Sequence, residues 1–375
     1  MKMRKPIVVA LACITVCFVG LVFYFLRQNK VEDISLNKEA DCYLLTLEGV
    51  YALKSEDRKL KLLEHSDTKI ADYVHYIYPR GELEGRYLLL SEGWEGVVSY
   101  PTGIVSIDFM TGNVQSHNSD HYALTGSGQS EHYFYTWQTT AEDSRISQFD
   151  IDGNEIQSKV YEESLISSAS FINQTDGYIY VEVVQNHPDG SYDNWLVTID
   201  EKDLSIVSKL PFYQVENQHY RFGSSVVLNG KLYAPLNSIR DRTTQEIHGD
   251  NRLFITDLSM NEVGTIQLEA PYPFLLSQRG NYLFIEHEAI NLGYVGFSIV
   301  NVETHETKFI NLSHLLEEDL DISSSFIQFF TIDNKGRLLF TLQNKLVYFD
   351  IQKGTILDVF EFDREETPIY IWTVK

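Results

Sequence analysis

Cysteine is scarce in this chain of 375 residues, and its three copies exclude a disulfide-stabilised fold. Cys13 and Cys17 lie inside a long apolar run near the N-terminus, which leaves Cys42 as the one cysteine in the rest of the chain. A single thiol forms no internal disulfide. The domain after the apolar run must therefore be held together by its own core, for which a hydrophobic content of 43% is ample.

Positive charge is also in short supply. The chain has 30 Lys and Arg residues against 53 Asp and Glu, which gives a net charge of −23. The first thirty residues hold five of the basic residues and none of the acidic ones, so the remainder carries 25 − 53 = −28. Such a charge repels phosphate backbones and anionic lipid headgroups. We therefore expect no nucleic acid among the partners.

The linear motifs of common catalytic and cofactor sites are missing. No Gly-x-Ser-x-Gly elbow, phosphate-binding loop, His-Glu-x-x-His or paired cysteine motif occurs. Residues 150–155 resemble the start of a calcium loop, but the acid that an EF-hand places at its twelfth position is lacking. We expect no catalytic residue, no metal site and no cofactor.

What the sequence does contain is a recurring unit of four short strands, best seen at 321–363. Its strands are rich in β-branched and aromatic residues and end in polar or glycine turns. This spacing is typical of β-propeller blades, so we predict an all-β fold, a seven-bladed β-propeller over 41–375, preceded by one transmembrane α-helix. In most copies the third strand ends in an acidic or amide residue that we expect to start a tight turn. The copies end at Lys54, Asp108, Asp150, Asp200, Asp257, Asn301 and Asp350, in steps of 42 to 57 residues.

The two ends of the chain predict how the ring closes. The first unit has second, third and fourth strands but no first, while an apolar, aromatic segment follows the last complete unit. We predict that 368–374 supplies the innermost strand of the first blade, beside 43–47. This pairing would cover two strand edges that otherwise promote aggregation.

An uncharged run precedes the repeats. Residues 6–26 contain no charge, and 21 residues of α-helix at ~1.5 Å each cover the ~30 Å hydrocarbon core. Basic residues before the run place the N-terminus in the cytoplasm. We predict a single-pass cell-membrane protein, of a kind typical of bacteria, with the propeller outside; a cleaved signal peptide is the alternative. Its parts are a cytoplasmic tail at 1–5, a transmembrane helix at 6–26, a linker at 27–40 and the propeller at 41–375.

Three insertions, at 92–102, 185–194 and 237–251, interrupt the rhythm of the blades. All three fall between second and third strands, so a propeller places them on one face. Variable loops on a rigid face often carry binding, although loop drift without function is the alternative. Aromatic and charged side chains in or beside the insertions are our candidate binding residues: Trp94, Tyr100, Tyr192, Trp195, Arg240, Arg242, His248 and Asp250.

Two segments, 345–362 and 103–116, resemble the quinoprotein and YVTN group of WD40-like β-propellers. The resemblance covers about 41–375 and implies a fold rather than an activity. The blade-end tryptophan motifs and cofactor ligands of the quinoprotein enzymes have no evident counterpart here. The resemblance therefore implies no catalytic residue.

These observations favour a binding or scaffold module for a protein or glycan partner. Two alternatives remain open. A propeller enzyme, such as a hydrolase or lyase, draws single polar residues from several blades to the centre of the disc, where no linear motif reveals them. A membrane-associated sensor or accessory subunit would act through its anchor, although one glycine within 6–26 offers little for helix packing.

Overall fold

The computed structural model describes residues 33–68, 70, 77–83, 86–91, 103–118, 124–167, 172–173, 177–187, 192–212, 218–316, 320–323 and 326–374. Within these ranges the chain forms seven antiparallel sheets that follow one another along the sequence, with two short helices between strands. The all-β fold predicted from the sequence is confirmed. No helix in the described part of the chain is long and apolar enough to cross a membrane, and the predicted anchor at 6–26 lies outside that part.

The first four sheets are built from consecutive strands, with one exception in sheet one. Sheet one contains β1 (Cys42–Thr46), β2 (Gly49–Glu56), β3 (Lys59–Asp67) and the last strand of the chain, β30 (Pro368–Thr373). Sheet two contains β4 (Ile77–Leu83), β5 (Arg86–Ser91), β6 (Gly103–Asp108) and β7 (Val114–Asn118). Sheet three contains β8 (Leu124–Gln129), β9 (Phe134–Thr139), β10 (Ser144–Phe149) and β11 (Glu155–Tyr161). Sheet four contains β12 (Ile166–Ser167), β13 (Ile172–Asn173), β14 (Tyr178–Asn186), β15 (Tyr192–Asp200) and β16 (Ile206–Pro211).

The remaining three sheets repeat this plan. Sheet five contains β17 (Gln218–Phe222), β18 (Val226–Leu228), β19 (Lys231–Asp241), β20 (Ile247–Asp257) and β21 (Glu262–Gln267). Sheet six contains β22 (Pro273–Arg279), β23 (Tyr282–His287), β24 (Gly296–Asn301) and β25 (Thr307–Asn311). Sheet seven contains β26 (Ile327–Ile332), β27 (Leu338–Leu342), β28 (Lys345–Asp350) and β29 (Thr355–Glu361). The helices are α1 (Ala289–Leu292) and α2 (Leu312–Leu316).

In six of the seven copies, the acidic or amide residue at the end of the third strand starts a turn, as predicted. The Oδ1 atom of Asp200 accepts a hydrogen bond from the backbone N–H of Lys202 at 2.9 Å. Asp257 and Asn301 do the same with the backbone two residues ahead, both at 2.9 Å. Backbone N–H groups stabilise the ionised form, and they hold the pKa of Asp257 below its usual value. These residues serve turn geometry.

The core consists of apolar contacts between each sheet and the next. Aromatic side chains dominate between sheets six and seven, where Phe297 lies 5.4 Å from Phe340 between ring centroids. Other apolar clusters join sheets two and three, three and four, four and five, and five and six. A single large cluster contains residues of sheets seven, one and two. Every sheet therefore packs on the sheets that precede and follow it, and the seventh packs on the first.

The pairing predicted for the C-terminus is confirmed. β30 lies antiparallel to β1, with Cys42 opposite Thr373 and Leu45 opposite Tyr370. Ile369 and Ile371 are each 1% exposed. The Trp372 ring stacks on Phe109 of sheet two at 5.0 Å and on Tyr43 at 5.1 Å. The last strand of the chain thus completes the first sheet and also packs on the second.

The described residues before β1 pack on the domain. The Ile34 N–H donates to the carbonyl of Gly112 at 2.7 Å, and the Ile34 side chain is buried. Gly112 has φ +77°, and a Cβ there would lie 2.1 Å from the Ile34 carbonyl oxygen. Only glycine allows this approach. Residues 33–40 therefore join sheets one and two.

Candidate functional site

Where the structure describes them, two of the predicted insertions consist mostly of extended strands. The insertion at 185–194 continues β14 and β15, with Asn186 opposite Tyr192. The insertion at 237–251 continues β19 and β20, which are 11 residues long each. Both join second and third strands of their sheets, as the sequence predicted. The binding residues proposed there are therefore held by strand pairing.

Strands β17, β19 and β20 place a row of side chains on one face of sheet five. His219 on β17 lies opposite Arg240 on β19, and Arg240 lies opposite Ile247 on β20. Directly paired residues in antiparallel strands project to the same face. Tyr192 of sheet four completes the row, because its ring stacks on the His219 imidazole with centroids 4.5 Å apart and an interplanar angle of 28°.

Positive charge surrounds this ring pair. Burial raises the pKa of Tyr192, and the charges of Arg221, Arg240 and Arg242 act in the opposite direction. Burial lowers the pKa of His219, and the charges of Arg242 and Arg240 lower it further. The imidazole is therefore neutral near pH 7. We call Tyr192, His219, Arg221, Arg240 and Arg242 the arginine cluster.

The cations of the cluster differ in their partners. Arg221 forms an ion pair with Glu288 at 2.8 Å and lies over the Phe274 ring at 5.1 Å. Arg240 and Arg242 are exposed, and neither has a carboxylate within 4 Å among the residues that the structure describes. The His219 Nδ1 atom is buried and has no hydrogen-bond partner within the same residues. Two guanidinium groups are thus available to an anion.

Three other candidate binding residues within the described ranges have partners outside the cluster. Trp195 packs on the core between sheets three and four, with the Lys209 Nζ atom 4.9 Å from its ring centroid. Asp250 is held by Arg252, whose Nη2 atom is 2.7 Å from Oδ2. His248 is exposed beside Glu246 at 3.7 Å. Trp94 and Tyr100 lie outside the described residues. The structure thus brings Tyr192, Arg240 and Arg242 together, whereas Trp195, His248 and Asp250 contact other side chains.

Sequence reasoning missed His219 and Arg221. Both lie on β17, the innermost strand of sheet five, which we did not associate with the insertions. The alternation of two basic side chains in the segment 218–222 was the available signal, because period-2 spacing places them on one face of a strand. Their proximity to Arg240 follows from the pairing of β17 with the extended part of β19.

Two buried carboxyl groups tie neighbouring sheets together. Glu182 on β14 accepts a hydrogen bond from the Ser225 hydroxyl of sheet five at 2.5 Å. Glu286 on β23 accepts one from the Ile327 N–H of sheet seven at 2.8 Å. Burial raises the pKa of Glu182 to about 7 and that of Glu286 to about 8. Both side chains are less than 5% exposed, so they serve the contacts between sheets.

A serine and a histidine in sheet six have the connectivity of a catalytic dyad but not its access to solvent. The His287 Nδ1–H group donates to the Pro271 carbonyl at 2.7 Å, and Nε2 lies 2.8 Å from the Ser298 hydroxyl. Each side chain is 1% exposed, and burial lowers the pKa of His287 to about 4. A nucleophile must touch its substrate. This pair therefore stabilises sheet six.

A surface cavity of about 380 Å³ lies where sheets seven and one meet, lined by Asp57, Arg58, Lys335 and Arg337. Its charges are largely engaged within the protein. The Lys335 ammonium donates to the Ser55 carbonyl and hydroxyl oxygens at 2.7 Å each, and Arg337 donates to the Tyr348 hydroxyl at 3.0 Å. The arginine cluster is the stronger candidate because two of its cations lack such partners.

No family model matches the chain, and no curated protein matches its sequence. The structure is similar to an ACO/RPE65 chimera at 11% identity, with a TM-score of 0.52 over 92% of this chain and 95% of that one. It is similar to the dihydro-heme d1 dehydrogenase NirN in complex with DHE at 8% identity, with a TM-score of 0.51 over 91% and 77%. It is also similar to a lignostilbene dioxygenase of Pseudomonas brassicacearum at 8% identity, with a TM-score of 0.50 over 92% and 94%. At such identities only the fold is shared, and the chain has an all-β, propeller-like fold.

Proposed function

We propose that this chain is a seven-bladed β-propeller that residues 6–26 hold on the outer side of a cell membrane, where it binds an anionic group of a partner. Seven sheets that pack in chain order, with β30 inserted into the first, support the blade count. The uncharged run of 21 residues behind a basic start supports the anchor.

The observation that carries the binding role is the pair of exposed arginines at the end of an extended hairpin. The chain beyond residue 30 carries a charge of −28, yet Arg240 and Arg242 have no carboxylate within 4 Å in the described part. A planar guanidinium suits bidentate recognition of carboxylates and similar anions. Strand pairing holds Arg240 in place, which lowers the entropy lost on binding.

Reversal of these charges in the full chain tests the proposal. We expect Arg240→Glu combined with Arg242→Glu to abolish proximity labelling of extracellular partners by a full-length protein expressed in its own cells. The matched control is Lys59→Glu with Lys61→Glu, which changes the charge equally at two exposed positions of β3. Protease added to intact cells should remove the propeller from both variants. Labelling that is unchanged in the arginine variant would contradict the binding role, and a protease-protected propeller would contradict the topology.

A further inference from the structure

The end of the hairpin formed by β19 and β20 carries an apolar residue next to the free cations. Ile247 lies opposite Arg240 on the same face and is 63% exposed. An isolated exposed aliphatic side chain is common on protein surfaces. Here it stands at the outer end of the row that begins with Tyr192 and His219. A ligand that reaches the guanidinium groups would also contact this side chain.

The outer edge of β20 is also open at this point. β21 pairs with β20 only from Arg252 onward. The carbonyl groups of Asn251 and Asp250 accept hydrogen bonds from backbone N–H groups of the segment that follows β21. The Asp250 carbonyl accepts from the Tyr272 N–H at 2.8 Å, so it points away from β19. Backbone groups alternate in direction along a strand. The Asp241 N–H donates to the Glu246 carbonyl at 3.0 Å, so the next hydrogen-bonded pair along the hairpin is Ile239 with His248, whose backbone groups face each other. The N–H and C=O groups of Ile247 and Gly249 therefore point outward, and no strand pairs with them within the described residues.

The aromatic rings near this site have little free surface for the stacking on sugar rings that many glycan-binding sites use. One face of the Tyr192 ring is covered by His219, and Trp195 is packed into the core with Lys209 over its ring. An open strand edge, an aliphatic contact and two guanidinium groups instead match an extended peptide that has carboxylate and aliphatic side chains. A strand added to β20 would lie about 10 Å from Arg240, a distance that a guanidinium and a glutamate carboxylate can span from both sides.

We propose that the end of this hairpin binds an extended acidic segment of a protein partner. Its carboxylates contact Arg240 and Arg242, an aliphatic side chain packs on Ile247, and its backbone hydrogen-bonds to the outward N–H and C=O groups of Ile247 and Gly249. This assignment rests on the proposed binding function and specifies its ligand.

Fluorescence anisotropy with the full chain in detergent micelles tests the assignment. The probe is a labelled octapeptide of the repeat Glu-Glu-Val-Val, which places glutamate and valine in turn along each face of an extended strand, and a glutamine version is its neutral control. We expect Arg240→Glu with Arg242→Glu to weaken binding of the acidic probe at least about tenfold, which corresponds to 1.4 kcal/mol. The Lys59→Glu and Lys61→Glu control should change it less than about twofold, and 0.3 M salt should weaken it. Equal binding of the glutamine peptide would overturn the assignment.

Two further probes separate the ligand classes and the binding mode. Single N-methyl groups, placed in turn along the acidic peptide, remove one backbone donor each and leave the charge unchanged. We expect loss of binding at alternate positions only, and an even effect at all positions would overturn the strand-like pose.

An oligogalacturonate of equal charge tests a uronate glycan. If it binds and the peptide does not, the peptide assignment is wrong while the proposed binding function stands. If partners are labelled on cells but neither probe binds, the assignment is likewise wrong.

Discussion

At the scale of single residues, burial changes the ionisation of Glu286. Burial raises its pKa to about 8, so its folded form holds a proton that the unfolded form releases. The stability that this proton contributes is complete below the unfolded pKa and is lost as the pH rises through about 8. Glu182 acts in the same direction up to about pH 7. His287 acts in the opposite direction, but only between about pH 4 and the ordinary histidine pKa of 6.5.

The first prediction concerns the window between pH 6.5 and 8, where the histidine no longer contributes. We expect the free energy of unfolding of the full chain to fall there by about 1.4 kcal/mol per pH unit for each glutamate still protonated when folded. Glu286→Gln keeps the acceptor for the Ile327 N–H and cannot ionise, so its slope should be smaller. Urea unfolding at several pH values measures this. Parallel slopes for the two proteins would show that Glu286 does not control the pH dependence.

At the scale of elements, the sequence located the strands by their β-branched and aromatic residues and the turns by their acidic residues, but it did not reveal the length of the hairpins. The segment 237–251 is polar and charged, with no alternation to indicate a strand. Its strand structure comes from its neighbours, because Arg240 pairs with His219 on β17 as well as with Ile247. Tertiary pairing of this kind overrides local propensity. The arginine cluster could not be predicted as a unit for the same reason.

The second prediction is that the base of this hairpin, near Asn237, contributes to stability, whereas its turn at 242–245 does not. Asn237 is fully buried, and its side-chain N–H group donates to the Pro273 carbonyl at 3.3 Å. Replacement of 242–245 by Asn-Gly should leave unfolding cooperative, because Asn-Gly forms the two-residue turn that suits a hairpin. Replacement of 237–251 as a whole should lower the free energy of unfolding by several kcal/mol, because it exposes buried groups. Chemical denaturation of both variants measures the difference, and equal stability would contradict the structural role of the base.

At the scale of the whole molecule, the first and last strands of the described chain pair in sheet one. The first unit of the repeat lacks one strand, and an extra strand follows the last unit. This mismatch predicted the pairing of β1 with β30, because an unpaired strand edge promotes aggregation. The contact of Ile34 with Gly112 was not predictable, since no periodic pattern relates a segment before the repeats to a turn in sheet two. The pairing also buries Cys42, which is 1% exposed and whose pKa burial raises to about 12. A thiol that stays protonated and buried is unreactive, so Cys42 reports whether β30 is in place.

The last prediction is that removal of 368–375 opens sheet one. The deletion exposes the edge of β1 and removes Ile369 and Ile371, whose burial contributes about 1.5–3 kcal/mol each. We therefore expect a loss of several kcal/mol in the free energy of unfolding, together with aggregation. Alkylation of Cys42, in a full chain with Cys13→Ser and Cys17→Ser, should become at least tenfold faster. A chain that ends at Thr373 is the matched control, because it keeps every residue of β30 and should label slowly. Slow labelling and unchanged melting after the longer deletion would mean that β30 does not hold the first sheet closed.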